Sequence, residues 1–467
     1  MEKKIALTLD ECLAASGGTK ALIVGNGVYR EVPGLLRAEY GSTRVFFVAD
    51  ENTRRVAGND LEAALASGGI EIAGEYVFPA EPRLHADYEH VETLKGNIAP
   101  LKGAPDGAPN GASPRPLVPV AVGSGTINDL VKQASGELSL PYLCVPTAAS
   151  VDGFTSFGSA ILKDGFKQTL SCPAPRCIVA DTGVLSRAPA WLSSSGFADL
   201  AGKLCAGADW LVADTAAILG AKGAARIESK AWAMVQHGLR DYIARSLTAV
   251  EGDEDALKAL FEALSVTGFA MQYAQDSRPC SGTEHLFAHV WEMENLSVDG
   301  VPVTHGHKVA IGSLADTAFL ETFFADPKGP PRPPDGYRRP TVDERVAEAK
   351  AAFANSPALD SVIKTIIDKY QDEKALAGIR DGINDVWKDL RAKVLEQLMP
   401  YTELKAAFVK SRCPVLPGEI NLTRSAVIDC ARRAQMIRLR YNGVDLAWDL
   451  GCFRTVLAAM EASTVYF

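Results

Sequence analysis

The sequence predicts an α/β domain with a doubly wound, mostly parallel sheet over residues 1–185, followed by an all-helical domain over residues 186–467. In the first part, short β-branched or aromatic runs end at glycine or acidic residues and alternate with helix-like stretches, as in a parallel sheet covered by helices. In the second part, strand-like runs become rare and apolar residues recur with helical spacing. A chain of 467 residues is long enough for two such domains, each with its own core.

Five strands are predicted in the first domain, because each is a short apolar run that ends at a turn residue or an acid. They are Ala21–Gly25, Val45–Asp50, Val118–Val122, Tyr142–Val145 and Cys177–Asp181. Helices are predicted between the strands, among them Asp60–Ala66 and Asp129–Ser135. The strand runs show no polar alternation, which indicates strands buried on both faces.

In the second domain, apolar residues recur at i, i+3, i+4 and i+7 over Leu359–Tyr370 and again over Ile379–Val394. This spacing predicts two amphipathic helices that bury one face in a core. Two segments interrupt the folded pattern. The turn-rich insert 102–116 is expected to be a solvent-exposed loop, with a flap over a ligand as the alternative, and the proline-rich connector 326–340 is expected to join helices.

The composition excludes nucleic acid as the main partner. Lys and Arg number 48 and Asp and Glu 57, so the net charge is −9, whereas a phosphate backbone requires a basic surface. No run reaches the roughly 18 apolar residues of a membrane helix, and the first residues lack the apolar core of a signal peptide. Nine cysteines without a C-x-x-C pair fit reduced thiols, so we expect a cytoplasmic protein.

A glycine-rich turn follows the third predicted strand. Residues 123–129 read Gly-Ser-Gly-Thr-Ile-Asn-Asp and lead into a helix, so free backbone N–H groups and the helix dipole favour an anion there. The turn suits a dinucleotide pyrophosphate, but Asn128 replaces the third glycine of the Rossmann fingerprint, and a plain tight turn is the alternative. Residues 24–27, Asp50 and residues 146–150 also follow strands, and Asp50 can accept hydrogen bonds from a ribose. Together these residues predict a ligand site at the C-terminal edge of the sheet.

Four of the seven histidines fall within residues 285–307. His285 and His289 are four residues apart and share one helix face, and His305 begins a later helix. Upstream, Asp199 follows Gly196 and is predicted at a helix start. Two imidazoles and a carboxylate with an open position form the ligand set of a catalytic divalent metal. The alternative is that these histidines are solvated or hydrogen-bonded in the core.

Several sequence blocks together resemble the sn-glycerol-1-phosphate dehydrogenase family. This family is a branch of the superfamily that contains iron-dependent alcohol dehydrogenases, glycerol dehydrogenase and 3-dehydroquinate synthase. The blocks lie within residues 120–312 and, more weakly, at 438–446. They read GSGTINDL, PYLCVPTAASVDGFTS, GFADLAGKLCAGADW, GTEHLFAH, HGHKVAIG and RLRYNGVDL.

The resemblance implies a nucleotide-binding α/β domain, a helical metal domain and an active site in the cleft between them. It implies one divalent ion (zinc, nickel or iron) held by Asp199, His285 and His305. It places NAD or NADP against the following residues: Asp50, Gly125, Thr126, Ile127, Asn128, Asp129, Thr147, Ala148, Ala149, Ser150 and Ser156. It also implies that Asp152, Asp199 and His289 face the substrate, with Asp152 and His289 as catalytic residues.

The chain departs from the family pattern at His307, where glutamate is usual, and at Asn442, where the pattern has threonine. Asp50 favours NAD because an acid repels a 2′-phosphate, although Arg54 or Arg55 could offset this preference. The residues that bind a substrate phosphate are left unassigned, with Lys203 and Lys308 near the metal motifs in sequence.

These observations lead to the hypothesis of reversible hydride transfer between a nicotinamide and a secondary alcohol. The expected pair is dihydroxyacetone phosphate and sn-glycerol 1-phosphate, a step of phospholipid metabolism, with a small molecule as the partner and a homo-oligomer left open. Three alternatives remain: a polyol or alcohol dehydrogenase acting on an unphosphorylated substrate, a lyase like 3-dehydroquinate synthase, and a non-catalytic ligand-binding relative.

Overall fold

The structure, a computed structural model, describes residues 6–103, 115–163 and 166–467, so most of the insert predicted at 102–116 lies outside the described residues. The strands are β1 (Ala21–Gly25), β2 (Arg44–Asp50), β3 (Glu71–Phe78), β4 (Leu117–Val122), β5 (Leu143–Val145), β6 (Ser159–Lys163), β7 (Phe166–Leu170), β8 (Cys177–Asp181), β9 (Ser297–Val298) and β10 (Val301–Pro302).

The helices of the first half of the chain are α1 (Leu9–Ser16), α2 (Val32–Tyr40), α3 (Glu51–Thr53), α4 (Asn59–Ser67), α5 (Tyr88–Ile98), α6 (Gly125–Glu137), α7 (Thr182–Leu185), α8 (Ala190–Ile218), α9 (Ser229–Gln236) and α10 (Leu239–Arg245). Those of the second half are α11 (Glu254–Ala274), α12 (Thr283–Met293), α13 (His305–Phe323), α14 (Val342–Ala352), α15 (Leu359–Lys369), α16 (Glu373–Gln397), α17 (Tyr401–Lys410), α18 (Arg424–Ala434), α19 (Gly443–Asp449) and α20 (Phe453–Ala462).

Six strands form one parallel sheet in the order β1-β8-β5-β4-β2-β3, which confirms the predicted doubly wound α/β architecture. Alternate residues of β2 and β4 pack against α2 and α4, where Leu36, Leu61 and Leu65 are fully buried. The intervening residues of these strands, such as Phe46 and Val48, are buried as well. Burial on both faces explains why these strands read as continuous apolar runs.

Strand β3 was not predicted from the sequence. It lies at the edge of the sheet beyond β2, and its Glu71 and Glu75 are exposed. Edge strands commonly carry charged residues, which discourage pairing with another chain. The same charges interrupt the apolar run that identified the other strands. The antiparallel hairpin of β6 and β7 was also missed.

The chain divides into two compact units, and the division differs from the single predicted boundary at 185/186. One unit comprises residues 6–197 and 241–275, and the other comprises 198–240 and 276–467. Residues 241–275 join the sheet-containing unit because α11 packs against α1, α7 and β1. A single boundary in the sequence cannot describe this division, because α11 follows part of the second unit in sequence but packs in the core of the first.

The second unit is helical apart from the short hairpin of β9 and β10, which leads from α12 into α13. Helices α12 and α13 pack against each other and against α18, and α13 also contacts α17 and α20. The predicted stripes at 359–370 and 379–394 form α15 and α16, with Ile379 and Ile383 buried. None of the helices in the described ranges is long and apolar enough to span a membrane.

Candidate active site

Asp199, His285 and His305 converge in the second unit, although 106 residues separate the first from the last in sequence. One ligand atom from each side chain lies within 4.8 Å of those of the other two. Asp199 Oδ1 and His285 Nε2 are 3.3 Å apart, and the rings of His285 and His305 have centroids 5.3 Å apart. Asp199 is fully buried, whereas 20% of the His305 side chain is exposed. The three residues therefore form a largely buried cluster with two nitrogen donors and one oxygen donor.

Helix placement explains this convergence, but the prediction that Asp199 starts a helix is wrong. Helix α8 begins at Ala190, so Asp199 lies well inside it. Gly196 is no cap but a point of close approach: a Cβ there would overlap the carbonyl oxygen of Ala149. His305 does open its helix as predicted, since Thr304 Oγ1 accepts a hydrogen bond from the His307 N–H.

Two glutamates orient the histidine rings, and sequence reasoning missed both. Glu284 Oε1 lies 2.7 Å from His285 Nδ1, and Glu292 Oε1 lies 2.9 Å from His305 Nδ1. An imidazole that donates its Nδ1 proton to a carboxylate presents the Nε2 lone pair to a metal. The signal for Glu292 was present, because it stands seven residues after His285 and shares its helix face. The donor set and its supporting carboxylates thus fit a catalytic divalent cation.

Lys203 is the third residue that sequence reasoning did not place. Its Nζ lies 2.5 Å from Asp199 Oδ1 one helical turn away, and both side chains are fully buried. Burial alone would raise the pKa of Asp199, but the Lys203 ammonium and the His285 hydrogen bond outweigh burial and hold it well below its usual range. Asp199 is therefore an ionised carboxylate, the form that a metal requires.

Burial and the Lys203 charge lower the pKa of His285, yet hydrogen bonds to Asp199 and Glu284 outweigh them and raise it to about 9. A cation that binds here would replace the proton on Nε2.

His289 lies beside the cluster, with its ring centroid 6.3 Å from that of His285 and 6.1 Å from that of His305. Its Nδ1 is 3.2 Å from Glu292 Oε2, so one glutamate supports two histidines. Burial lowers the pKa of His289 to about 4 despite that hydrogen bond, although 28% of its side chain is exposed. The ring is therefore neutral at pH 7.

The predicted nucleotide residues lie in the sheet-containing unit, at the C-terminal ends of the neighbouring strands β5, β4 and β2. Helix α6 begins at Gly125 directly after β4, so its first N–H groups have no intrahelical partners. Ser124 Oγ and Ser150 Oγ are 2.7 Å apart and join this turn to the loop after β5. The strand–turn–helix junction and the loop expected to face a dinucleotide are thus adjacent.

Asp50 follows β2 and caps the next helix. Its Oδ1 accepts the Thr53 N–H at 2.8 Å, and within the described ranges Oδ2 has no hydrogen-bond partner. One carboxylate oxygen is therefore structural, and the other can accept a hydrogen bond from a ribose. Arg54 pairs with Glu62 and lies 3.5 Å from Glu75, so two carboxylates already balance its charge.

Burial shows which atoms of the predicted nucleotide residues can reach a ligand. Ile127 and Asn128 are almost fully buried, and Asn128 Oδ1 accepts a hydrogen bond from the Tyr142 hydroxyl at 2.9 Å. Ala148 and Ala149 are buried as well. These four residues would contact a nucleotide through their backbone. Of the other residues, Thr126 and Asp129 are partly exposed, whereas Thr147, Ser150 and Ser156 are buried and keep only 5–9% of their surface exposed.

Lys132 holds the loop that carries Asp152 and Ser156. Its Nζ donates to the carbonyl oxygens of Gly153, Ser156 and Gly158 at 2.7, 3.1 and 3.0 Å, and the side chain is fully buried. No sequence signal marked this lysine, because a lysine in a helix is normally solvated. Its position makes it the anchor of the predicted cofactor loop.

We predict that Glu292→Gln weakens metal binding by about 10- to 100-fold, the usual cost of losing a carboxylate behind a metal-bound histidine. An amide cannot accept hydrogen bonds on both of its polar atoms, so it cannot serve His289 and His305 together. The dissociation constant for Zn²⁺, measured by competition with a chromophoric chelator, checks this. Glu294→Gln is the control, since Glu294 lies on the same helix end and pairs with Arg433 instead. Equal affinities in the two variants would contradict the role given to Glu292.

Comparisons with known proteins identify relatives over most of the chain. Residues 23–189 match the family model described as iron-containing alcohol dehydrogenase. The glycerol-1-phosphate dehydrogenase (NAD(P)+) of Bacillus velezensis is 34% identical over 403 residues, which cover 85% of this chain and 84% of that protein. The protein of the same name from Halalkalibacterium halodurans is 31% identical over 303 residues, or 64% of this chain and 70% of that protein.

Solved structures share the fold at low sequence identity. Glycerol dehydrogenase from Schizosaccharomyces pombe aligns with a TM-score of 0.53 and 16% identity, covering 95% of this chain and 91% of that one. A probable glycerol dehydrogenase from Sinorhizobium meliloti aligns with a TM-score of 0.56 and 16% identity, covering 95% and 98%.

Proposed function

This chain belongs to the glycerol-1-phosphate dehydrogenase family, and we propose that it catalyses the reversible, NAD(P)H-dependent reduction of dihydroxyacetone phosphate to sn-glycerol 1-phosphate. Family membership confirms the resemblance found in the sequence blocks. The observation that carries the proposal is the convergence of Asp199, His285 and His305, with Glu284 and Glu292 behind the two rings.

The cofactors are NAD(P) and one divalent ion. When bound, the ion would act as a Lewis acid that polarises the substrate carbonyl, and the nicotinamide would supply the hydride. Asp199 Oδ1 or Oδ2 and the Nε2 atoms of His285 and His305 would hold the ion. Zinc, nickel and iron all accept this ligand set. Lys203 and the two glutamates keep the ligands ionised and oriented, so little reorganisation accompanies the reaction.

His289 is the proposed partner of the substrate hydroxyl. A neutral ring that donates its Nδ1 proton to Glu292 leaves Nε2 as an acceptor for the hydroxyl proton during alcohol oxidation. In the sheet-containing unit, Lys132 fixes the loop of Asp152, the second proposed catalytic residue. Both roles stay predictions that rest on the family resemblance and on the local geometry.

The proposed coenzyme preference is for NADH over NADPH. Asp50 offers one carboxylate oxygen at the end of β2, where a 2′-phosphate would be repelled. Arg54 does not offset this charge, because Glu62 and Glu75 engage it.

Relative rates on dihydroxyacetone phosphate and dihydroxyacetone test the proposed substrate. We predict that kcat/KM is at least about 100-fold higher for the phosphorylated ketone, because one or two charge-assisted hydrogen bonds to phosphate contribute roughly 1.5–3 kcal/mol each. Initial rates of NADH oxidation, at matched metal loading, give the ratio. Equal or faster turnover of dihydroxyacetone would favour a polyol dehydrogenase instead. Release of phosphate from a phosphorylated sugar acid that can cyclise, without net consumption of NADH, would favour a lyase like 3-dehydroquinate synthase.

A further inference from the structure

A second cluster of carboxylates lies behind the metal ligands, and nothing in the proposed function uses it. Asp209 on α8, Glu284 at the start of α12 and Asp316 on α13 meet inside the helical unit, where their exposures are 2%, 0% and 0%. One oxygen from each lies within 4.8 Å of the oxygens of the other two. Three helices thus deliver three formal negative charges to one buried point.

The hydrogen bonds of these carboxylates are incomplete. Asp209 accepts the N–H groups of Thr283 and Gly443 at 2.6 and 2.8 Å, and Glu284 Oε1 accepts the Gly282 N–H at 2.9 Å in addition to its contact with His285. Within the described part of the chain, however, Glu284 Oε2 and both oxygens of Asp316 have no hydrogen-bond partner. A buried carboxylate with no partner is costly, so these oxygens point to a ligand.

A neutral group repeats this signal. The hydroxyl of Ser313 is fully buried and likewise lacks a hydrogen-bond partner within the described ranges. Ser313 stands three residues before Asp316 on α13 and shares its face. Gly282 closes the cluster on another side, because a Cβ there would lie 2.7 Å from both Asp209 Oδ2 and Glu284 Oε2. Oxygen atoms and the backbone of Gly282 lie at the cluster, and the buried thiol of Cys205 is near enough that burial and the charges of the three acids raise its pKa.

Electrostatics requires that something neutralise the three acids. Across residues 6–103, 115–163 and 166–467, no lysine or arginine lies within ion-pair distance of Asp209, Glu284 or Asp316. Burial and the charge of Glu284 raise the pKa of Asp209 to about 7, and burial, Asp209 and Glu284 raise that of Asp316 well above its usual range. His285 contacts Glu284, and the charges of Arg278 and Arg440 reach the cluster only from beyond ion-pair distance. The negative charge that these groups leave unpaired would destabilise the helical core.

We propose that Asp209, Glu284 and Asp316 bind a second, structural cation, a hard divalent ion of the Mg²⁺, Mn²⁺ or Ca²⁺ class. The three converging side chains offer only oxygen donors, the ligands that these ions prefer. Oxygens bound at about 2.0–2.6 Å to one ion are at most about 4–5 Å apart, which fits the spacing of the cluster. Glu284 would connect the two centres, since Oε1 contacts His285 and Oε2, which has no hydrogen-bond partner in the described ranges, would be available to the second ion. The inference rests on this geometry alone and not on the proposed substrate.

Titration of the chelator-treated, full-length protein with Mn²⁺, followed by electron paramagnetic resonance, tests the proposal. We expect two bound Mn²⁺ per wild-type chain and one in Asp316→Asn, because the asparagine removes a charge from the second cluster only. We also expect one in Asp199→Asn, which disables the first cluster only. Asp335→Asn, an exposed aspartate of the proline-rich connector, is the control and keeps two.

The outcomes separate the alternatives. If protons rather than a cation neutralise the cluster, Asp316→Asn will bind as many Mn²⁺ as the wild type, and this result would overturn the proposal. If Asp316→Asn does not fold, Asp199→Asn decides, since one retained Mn²⁺ supports the second site and none overturns it. Added Ca²⁺ or Mg²⁺ should raise the Tm of Asp199→Asn but leave that of Asp316→Asn unchanged. Absence of turnover with dihydroxyacetone phosphate would refute the proposed function but would not alter these counts.

Discussion

Substitution of Asp199 by asparagine is expected to lower kcat/KM for dihydroxyacetone phosphate by about 10³-fold or more, since it removes the only carboxylate among the three proposed metal ligands. The amide has nearly the same size as the carboxylate but carries no charge. It therefore neither holds a divalent cation nor balances the buried Lys203 ammonium. Steady-state rates of NADH oxidation, measured with the Zn²⁺ content of each preparation, check this expectation.

Two comparisons guard against a trivial loss of folding. Asp214→Asn changes a carboxylate on the same helix that pairs with Arg226, and it should retain activity and metal. The double variant Asp199→Asn/Lys203→Met removes both members of the buried pair, so it should recover stability but not activity. Activity of Asp199→Asn near the wild-type level, in folded protein, would contradict the assigned ligand role.

Lys132→Met is expected to raise the KM for NADH by about tenfold and to lower the free energy of unfolding by about 3–5 kcal/mol. Its ammonium donates to three carbonyl oxygens of one loop and also lies 3.8 Å from Asp129 Oδ1. Methionine fills a similar volume but donates no hydrogen bond, so three carbonyls lose their donor and the loop of Ser156 loses its anchor. Urea unfolding and the dependence of the initial rate on NADH concentration measure the two effects.

The matched control is Lys102→Met. Lys102 also donates to a carbonyl oxygen, that of Leu138, but it is exposed to solvent. Water replaces such a hydrogen bond, so stability should change by less than about 1 kcal/mol and the KM should not change. Equal effects of the two substitutions would show that the buried lysine does not position the loop.

The sequence predicts those strands whose residues form an apolar run that no charged residue interrupts. Strand β8 was predicted with its observed ends because all five of its residues are buried. Strand β1 lies at the other edge of the sheet and is only partly buried, but its apolar run carries no charge, so its ends were predicted as well. Strand β3 was missed because an edge strand alternates between charge and partial burial. The placement of α11 with the first unit depends on contacts between residues far apart in sequence, which no local pattern encodes.

In the candidate site, the metal-binding residues could be predicted from the sequence, but the residues that hold them and the cofactor loop in position could not. His285, His305 and Asp199 stand out by spacing and resemblance, and the structure brings them together. Lys132, Lys203 and Glu292 act through buried contacts that depend on tertiary packing, and as residue types they are common on helix surfaces. The wrong assignment of Asp199 to a helix start has the same origin. Gly196 marks a close contact with Ala149 and not the end of a helix.

Removal and return of the metal tests the central claim most directly, namely that Asp199, His285 and His305 hold a cation without which no hydride is transferred. The protein is stripped with a strong chelator, and NADH oxidation by dihydroxyacetone phosphate is then followed while Zn²⁺, Ni²⁺ or Fe²⁺ is added back. We predict that activity falls to background in the stripped protein and returns as a cation binds again to Asp199, His285 and His305. Full activity in the metal-free protein would contradict the account.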